Sequence, residues 1–183
     1  MLILASKSPR RIEMIKKWNI PFKIIPSDID EDLYPLDQIS YQKAIKISSL
    51  NPDDTVISAD TVVILNDQVL GKPNDENDAY KMLKLLSNKT HQVVTSFCIL
   101  NRIKNIIIRD KVTSFVTFNQ LDEKLIFDYI NSKSPLDKAG AYGIQDNDKF
   151  PIIQELKGSL DNVIGFPQDE IKELLHKNNL IYA

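Results

Sequence analysis

Cysteine, histidine and glycine are all scarce in this sequence, and each shortage removes a class of explanation. A chain of 183 residues with a single cysteine, Cys98, cannot be a disulfide scaffold. Cys98 lies in the largely apolar run 93–100 with no second thiol and no nearby base, so it reads as a small core hydrophobe rather than a nucleophile. Two histidines, His91 and His176, are too few for a histidine-rich metal site. His91 opens a strand beside Lys89 with nothing near it in sequence to complete a dyad, and His176, near the end of the last helix, reads as a surface residue at the negative end of a helix dipole. Neither sign of charge dominates: 23 basic and 25 acidic side chains leave a net charge of -2, which excludes binding to nucleic acid by bulk charge. An anionic ligand must therefore be met by a local cluster. Long apolar runs are missing too. The N-terminal run 1–5 is shorter than the core of a signal peptide, and no stretch approaches the ~20 residues that cross a bilayer, so a cytoplasmic protein with no membrane partner is expected. The five glycines form no phosphate-cradling loop, dinucleotide fingerprint or nucleophile elbow, and no zinc-protease helix motif occurs.

What is present is ordinary globular composition, with 43% hydrophobic and 26% charged residues, in a chain long enough for one domain or for two small lobes sharing a core. Residues 1–5 read as a short buried strand. Ser8-Pro9 then supplies an N-cap and a proline at the first helical position, for a helix predicted to run to about Asn19. A strand over 22–25 follows, and strand, helix, strand in some thirty residues announces an α/β fold. The pattern continues with a helix over 37–50, a β-branched strand over 55–65 and turn chemistry at Asn66-Asp67-Gln68. It goes on with a loop at Gly71-Lys72-Pro73, a helix over 75–87 and a long hairpin from strands 90–102 and 106–118. A helix over 122–132 precedes a shaped, aperiodic loop over 133–149, and the chain ends in a strand over 150–156, a loop over 158–166 and a helix over 167–177.

Four features carry chemistry. Two of only four arginines, Arg10 and Arg11, stand side by side in the first turn of a helix that starts at the carboxyl end of a strand, together with Ser6 and Ser8. Free N–H groups and the dipole make that place an anion site, and two guanidinium forks suit phosphate oxygens; the alternative is a solvated face paired to carboxylates. Asp60 interrupts the greasiest strand and needs a partner there: a metal ion, a Lys or Arg, or donors such as Thr61. Because neighbours in a strand face opposite ways, Asp60 and Thr61 serve one site only at a bulge or a strand end. Lys43 occupies a core-facing lane with Ile39, Ile47 and Leu50, where it either snorkels or meets a charge, and Lys72 offers a second ammonium from a fixed loop. The acidic run Asp28, Asp30, Glu31, Asp32 is either a solvated turn or a source of oxygen ligands for a hard cation such as Mg²⁺. Two arginines, two lysines, a strand carboxylate and an acidic loop are together the set that a magnesium-bound triphosphate requires, with the carboxylate positioning or deprotonating water.

The sequence resembles the Maf family of nucleoside triphosphate pyrophosphatases over nearly its whole length. The likeness is carried in order by residues 4–11 (LASKSPRR), 27–31 (SDIDE), Lys43-Ala44, 59–63 (ADTVV), 71–73 (GKP), 86–91 (LSNKTH), 138–145 (KAGAYGIQ), and Gly158-Ser159 through 163–167 (VIGFP). It implies an inosine-triphosphatase-like α/β fold: a mixed twisted sheet flanked by helices, in one domain over 1–183, with two lobes and a central cleft. The 138–145 stretch looks like the branch acting on dTTP and UTP rather than the branch preferring 7-methyl-GTP. The resemblance further implies Asp60 as proton acceptor, and Arg10, Thr61 and Gln145 at positions linked to base specificity. Ser8, Arg11, Glu31, Lys43 and Lys72 complete the polar pocket. Glu31 and Asp60 are the expected ligands for Mg²⁺ or Mn²⁺, and a homodimer is a further expectation. A Gln amide suits thymine and uracil, since its carbonyl accepts from N3–H while its NH₂ donates to O4, provided its neighbours fix its orientation. The sequence departs from the family pattern at Asn88-Lys89, where glycine followed by a polar residue is usual, at Phe166 in place of leucine, and in a short segment between Glu31 and Lys43. A nucleotide-binding regulator of septum formation without turnover is the alternative from another class.

Overall fold

A computed structural model of the chain describes residues 1–182. Its sheet has the strand order β2-β1-β3-β5-β6-β7, with β4 paired to β3 off that path. The strands are β1 (Leu2–Leu4), β2 (Phe22–Ile24), β3 (Thr55–Leu65), β4 (Gln68–Leu70), β5 (Thr90–Asn101), β6 (Ile106–Phe118) and β7 (Ile153–Lys157). The helices are α1 (Pro9–Lys16), α2 (Leu36–Leu50), α3 (Glu76–Leu86), α4 (Glu123–Asn131), α5 (Leu160–Ile164) and α6 (Gln168–Lys177). The β1 pairs to β2 and β3 are parallel, whereas β3–β4 and β6–β7 are antiparallel, so the sheet is mixed, as the sequence implies. No helix among the described residues is long and apolar enough to cross a membrane.

The chain divides into two compact units, with β3, β5 and β6 each contributing residues to both. The first unit holds 1–60, 95–112 and the chain from Gly165 on. Its core gathers Ile3, Ala5, Ala44, Ile47, Val56, Cys98 and Leu100, and burial pushes the Cys98 thiol up to about 12, as befits an inert core residue. Helix α1 stops at Lys16, short of Asn19. Trp18 lies just beyond it, buried, stacked on Phe166 at 5.7 Å and donating its indole N–H to the Gln168 side-chain oxygen. Phe166, a departure from the expected pattern, thus packs against the residue that follows α1.

The second unit holds 61–94 and 113–164, with a core built from Val63, Leu83, Leu86, Phe118, Ile126 and Tyr129. The β3–β4 hairpin turns through Asn66 and Asp67, both at positive φ (47° and 66°), the conformation that primed hairpin turns demand and that Asn and Asp tolerate. Asn88 likewise takes φ 57°, so asparagine supplies a left-handed turn at this position. The segment after α4 is more ordered than a shaped loop: three short 3₁₀ turns occupy 134–137, 139–141 and 144–146. The expected loop before Pro167 contains α5, whose five residues are too few to leave a periodic signal.

Gly140 is a position that only glycine fits. It sits at φ +69°, and a Cβ there would stand 2.8 Å from a methyl carbon of Val63. Gly140→Ala is therefore expected to lower unfolding free energy by about 1–3 kcal/mol in urea titrations. Gly71→Ala, where nothing lies within 4 Å of the new methyl, is expected to leave stability unchanged or slightly higher.

Candidate active site

The first unit assembles a cation–carboxylate cluster at the carboxyl end of β1. Ser8 caps α1, accepting the Arg11 backbone N–H at 3.5 Å, and Pro9 starts the helix. Arg10 and Arg11 follow in its first turn, as their spacing predicts. Arg11 turns inward: its Nε donates to the Gly165 carbonyl at 2.7 Å. Burial pulls its guanidinium down to about 10 and Arg10 adds to that, while Asp60 and Glu31 attract it electrostatically in the opposite sense.

Asp60 and Lys43 meet because strand period and helix period coincide. Ser58 and Asp60 share one face of β3. Ser58 donates its hydroxyl to the Ser40 carbonyl of α2, and three residues further along α2 the Lys43 ammonium lies 3.4 Å from Asp60 Oδ1. The same ammonium is 2.6 Å from Glu31 Oε1. Lys43 thus does not simply snorkel: it is buried, at 9% exposure, and bridges two carboxylates. Burial raises the Asp60 carboxyl above the usual aspartate range and Glu31 adds to the rise, against the opposing pull of Lys43 and Arg11.

The acidic run divides by task. Asp28 pairs with Lys7 at 2.5 Å, and its carbonyl accepts from Lys46. Asp30 caps the 3₁₀ turn Glu31–Leu33 by accepting from the Asp32 N–H. Glu31 alone reaches the cluster. Among the described residues no three His, Cys, Asp or Glu side chains group as a metal cage. Glu31 and Asp60, converging on one lysine, instead fit the Mg²⁺ pattern of one or two carboxylates completed by phosphate oxygens and water.

The register explains how a carboxylate and a threonine escape the buried run 55–59. β1 pairs with Thr55–Ile57 and β4 with Val63–Leu65, so residues 58–62 lie between the two registers, and both Asp60 and Thr61 are half-exposed. Thr61, Lys72 and Gln145 belong to the second unit. Lys72 is exposed between Gly71, whose carbonyl accepts from the Gly140 N–H at 3.1 Å, and the buried Pro73. Gln145 is exposed on the turn 144–146.

Two partners escaped the sequence reading. The Gly165 carbonyl that receives Arg11 lies 154 residues away and carries no side-chain signal. His91 does find a partner: its Nε2 is 2.6 Å from the Tyr142 hydroxyl, edge-on to the rings of Phe118 and Tyr142. Burial holds its imidazole down to about 4, so it is neutral near pH 7 and serves packing. His176 is exposed in the last turn of α6, as expected.

A mixed α/β sheet with guanidinium groups at a helix N-terminus and a buried lysine shared by two carboxylates defines a class of phosphate-handling proteins. The chain belongs to the Maf family: the family model described as Maf-like protein matches residues 1–178. It is 41% identical over 188 residues to a dTTP/UTP pyrophosphatase of Thermosipho africanus, covering 100% of this chain and 95% of that one. Identity to the dTTP/UTP pyrophosphatase of Ruminiclostridium cellulolyticum is 38% over 186 residues, 97% and 96% of the two chains. To that of Alkaliphilus oremlandii it is 43% over 175 residues, 91% and 90% of the two.

The raised Asp60 carboxyl has a consequence for stability. A folded-state value above the unfolded one means that the group favours folding while protonated and that this contribution is lost as pH rises through the folded value. Asp60→Asn is therefore expected to unfold at a higher temperature than the parent at pH 7. Calorimetry across pH 4 to 8 is expected to show that gain shrinking toward the acid end.

Proposed function

We propose that this protein is a nucleoside triphosphate pyrophosphatase that hydrolyses dTTP and UTP to the monophosphate and pyrophosphate. The observation that carries the reading is the buried Lys43 shared by Asp60 and Glu31 beside the Arg11 guanidinium; the printed activity of the relatives supplies the substrate class. Water attacks the α-phosphorus, the bond from that phosphorus to the α,β-bridging oxygen breaks, and pyrophosphate leaves. Asp60 accepts the proton of the attacking water. Its carboxyl, raised by burial, makes it a stronger base than a solvated aspartate. Arg10, Arg11, Lys43 and Lys72 balance charge on the phosphates, with Ser8 capping the first turn of α1 that carries the two arginines.

Glu31 and Asp60 would hold a divalent cation, Mg²⁺ or Mn²⁺, which when bound neutralises phosphate charge. Thr61 and Gln145 are assigned to the base, Gln145 through the donor–acceptor pair that thymine and uracil share. The proposed partner is the small-molecule nucleotide, with a homodimer as the proposed assembly, cytoplasm as the proposed compartment, and neither nucleic acid nor membrane involved. A role in clearing modified nucleotides or in arresting division is consistent with such an activity.

Incubation with a nucleotide panel and Mg²⁺ is expected to release pyrophosphate from dTTP and UTP ahead of 7-methyl-GTP. Binding without release would favour a regulator, and the reverse order would assign the other branch. Asp60→Asn is expected to cut turnover by at least about a hundredfold with the fold intact; near-normal turnover removes Asp60 from the mechanism. The acid limb of the parent's kcat/KM profile is expected above the ordinary aspartate range, with activity lost as pH falls through it. Stripping divalent ions with a chelator is expected to abolish release, and adding back Mg²⁺ or Mn²⁺ to restore it.

A further inference from the structure

Arg11 and Trp18 stand seven residues apart, close to two turns of helix, a spacing that puts both on one side of α1 and its continuation. The turn does carry on past Lys16, since the Trp18 N–H donates to the Ile15 carbonyl at 3.0 Å. Both side chains meet one short stretch from the far end of the sequence. Arg11 donates its Nε to the Gly165 carbonyl at 2.7 Å. Trp18 stacks on Phe166, the next residue, with ring centroids 5.7 Å apart and 27° between the planes. Its indole N–H also donates to the Gln168 side-chain oxygen at 3.0 Å. All of these contacts lie inside the first unit.

The stretch 165–168 is well fixed. Gly165, Phe166 and Pro167 are buried, Phe166 completely. Gly165 takes φ 112°, a conformation that favours glycine. The Pro167 ring restricts its own φ, and its carbonyl accepts the Ile171 N–H at 3.1 Å, which ties the stretch to the first turn of α6. The Lys172 ammonium of that helix lies 5.7 Å from the Trp18 ring. A carbonyl on Nε sets the plane of a guanidinium, because the group is flat and its N–H bonds point in fixed directions. The place of that carbonyl depends on Phe166, one peptide bond away, and Phe166 is packed against Trp18.

We propose that Trp18 is a positioning residue for Arg11. By stacking on Phe166 and donating to Gln168 it holds the Gly165 carbonyl in place, and that carbonyl orients the guanidinium for the phosphates. The proposal rests on the assignment of Arg11 to the phosphates. Trp18 is assigned no contact with substrate and acts through the stretch 165–168.

The test is a double-mutant cycle read in kcat/KM for UTP. Trp18→Leu removes both the stack and the indole donor, and is expected to lower kcat/KM about tenfold, as a small misplacement of a phosphate-binding group does. Arg11→Lys keeps the positive charge but has no Nε for the carbonyl to orient; adding Trp18→Leu in that background is expected to change kcat/KM by less than about twofold. Trp18→Phe keeps a ring against Phe166 and loses only the donor, so it serves where the leucine variant is too unstable to assay. It is expected to show the same coupling on a smaller scale, about threefold in the parent background and none beside Arg11→Lys. A merely structural tryptophan would cost the same factor in both backgrounds. Equal losses in the two backgrounds, or no loss from either Trp18 variant in the parent, overturn the proposal and leave the pyrophosphatase reading standing. A parent that releases pyrophosphate from no nucleotide removes that reading and this one together.

Discussion

One buried ammonium organises the first unit. Lys43 leaves water almost completely, and what makes that tolerable is that Glu31 and Asp60 both stand against it. Asp60 is itself dehydrated and drawn toward protonation, while the better-exposed Glu31 keeps the shorter contact. The turn that carries Glu31, the helix that carries Lys43 and the strand that carries Asp60 meet at this one ammonium. The Ser58–Ser40 hydrogen bond adds a neutral tie between the same strand and helix, so the register of Lys43 against Asp60 does not depend on the ion pair alone.

This arrangement suits chemistry better than stability. A carboxylate raised above its usual range is a burden on the fold and an asset as a base, and the guanidinium of Arg11, pulled down by burial, is a burden of the opposite sign. Each would relax if the other approached more closely, yet Arg11 spends its Nε on the backbone carbonyl of Gly165 and its position is thereby set from another part of the chain. An apolar replacement would pack with less conflict, and the sequence instead retains ionisable groups at each of these positions.

Much of this was legible in advance because it rests on local rules. Ser8-Pro9 is a cap and a helix start, the β-branched run 55–65 is a strand with both ends as predicted, and Asp60 is anomalous in any greasy strand. What could not be read were contacts whose signal is spread over the chain. Whether Lys43 snorkels or pairs depends on a turn twelve residues upstream and a strand seventeen downstream. Where β3 changes neighbours is equally invisible in the sequence, since a parallel partner ends at Ile57 and an antiparallel one begins at Val63. The end of α1 was overrun because Trp18 continues the apolar spacing, although it packs from beyond the helix against Phe166.

The region after α4 shows the same limit from the other side. Its sequence has no period, and absence of period reads as loop, yet three 3₁₀ turns and a ring of hydrogen bonds give it a definite shape. The order there is bought by side chains rather than by a repeating backbone: Tyr129 from α4, Ser134 and Lys138 from the turns, and Asp146 as common acceptor. Gly140 and Ala141, both at positive φ, let the chain double back between those anchors, and Tyr142 is pinned beside His91. A segment built this way is stiff without being regular, because its order comes from side-chain anchors at Tyr129, Ser134 and Asp146 rather than from a repeating backbone.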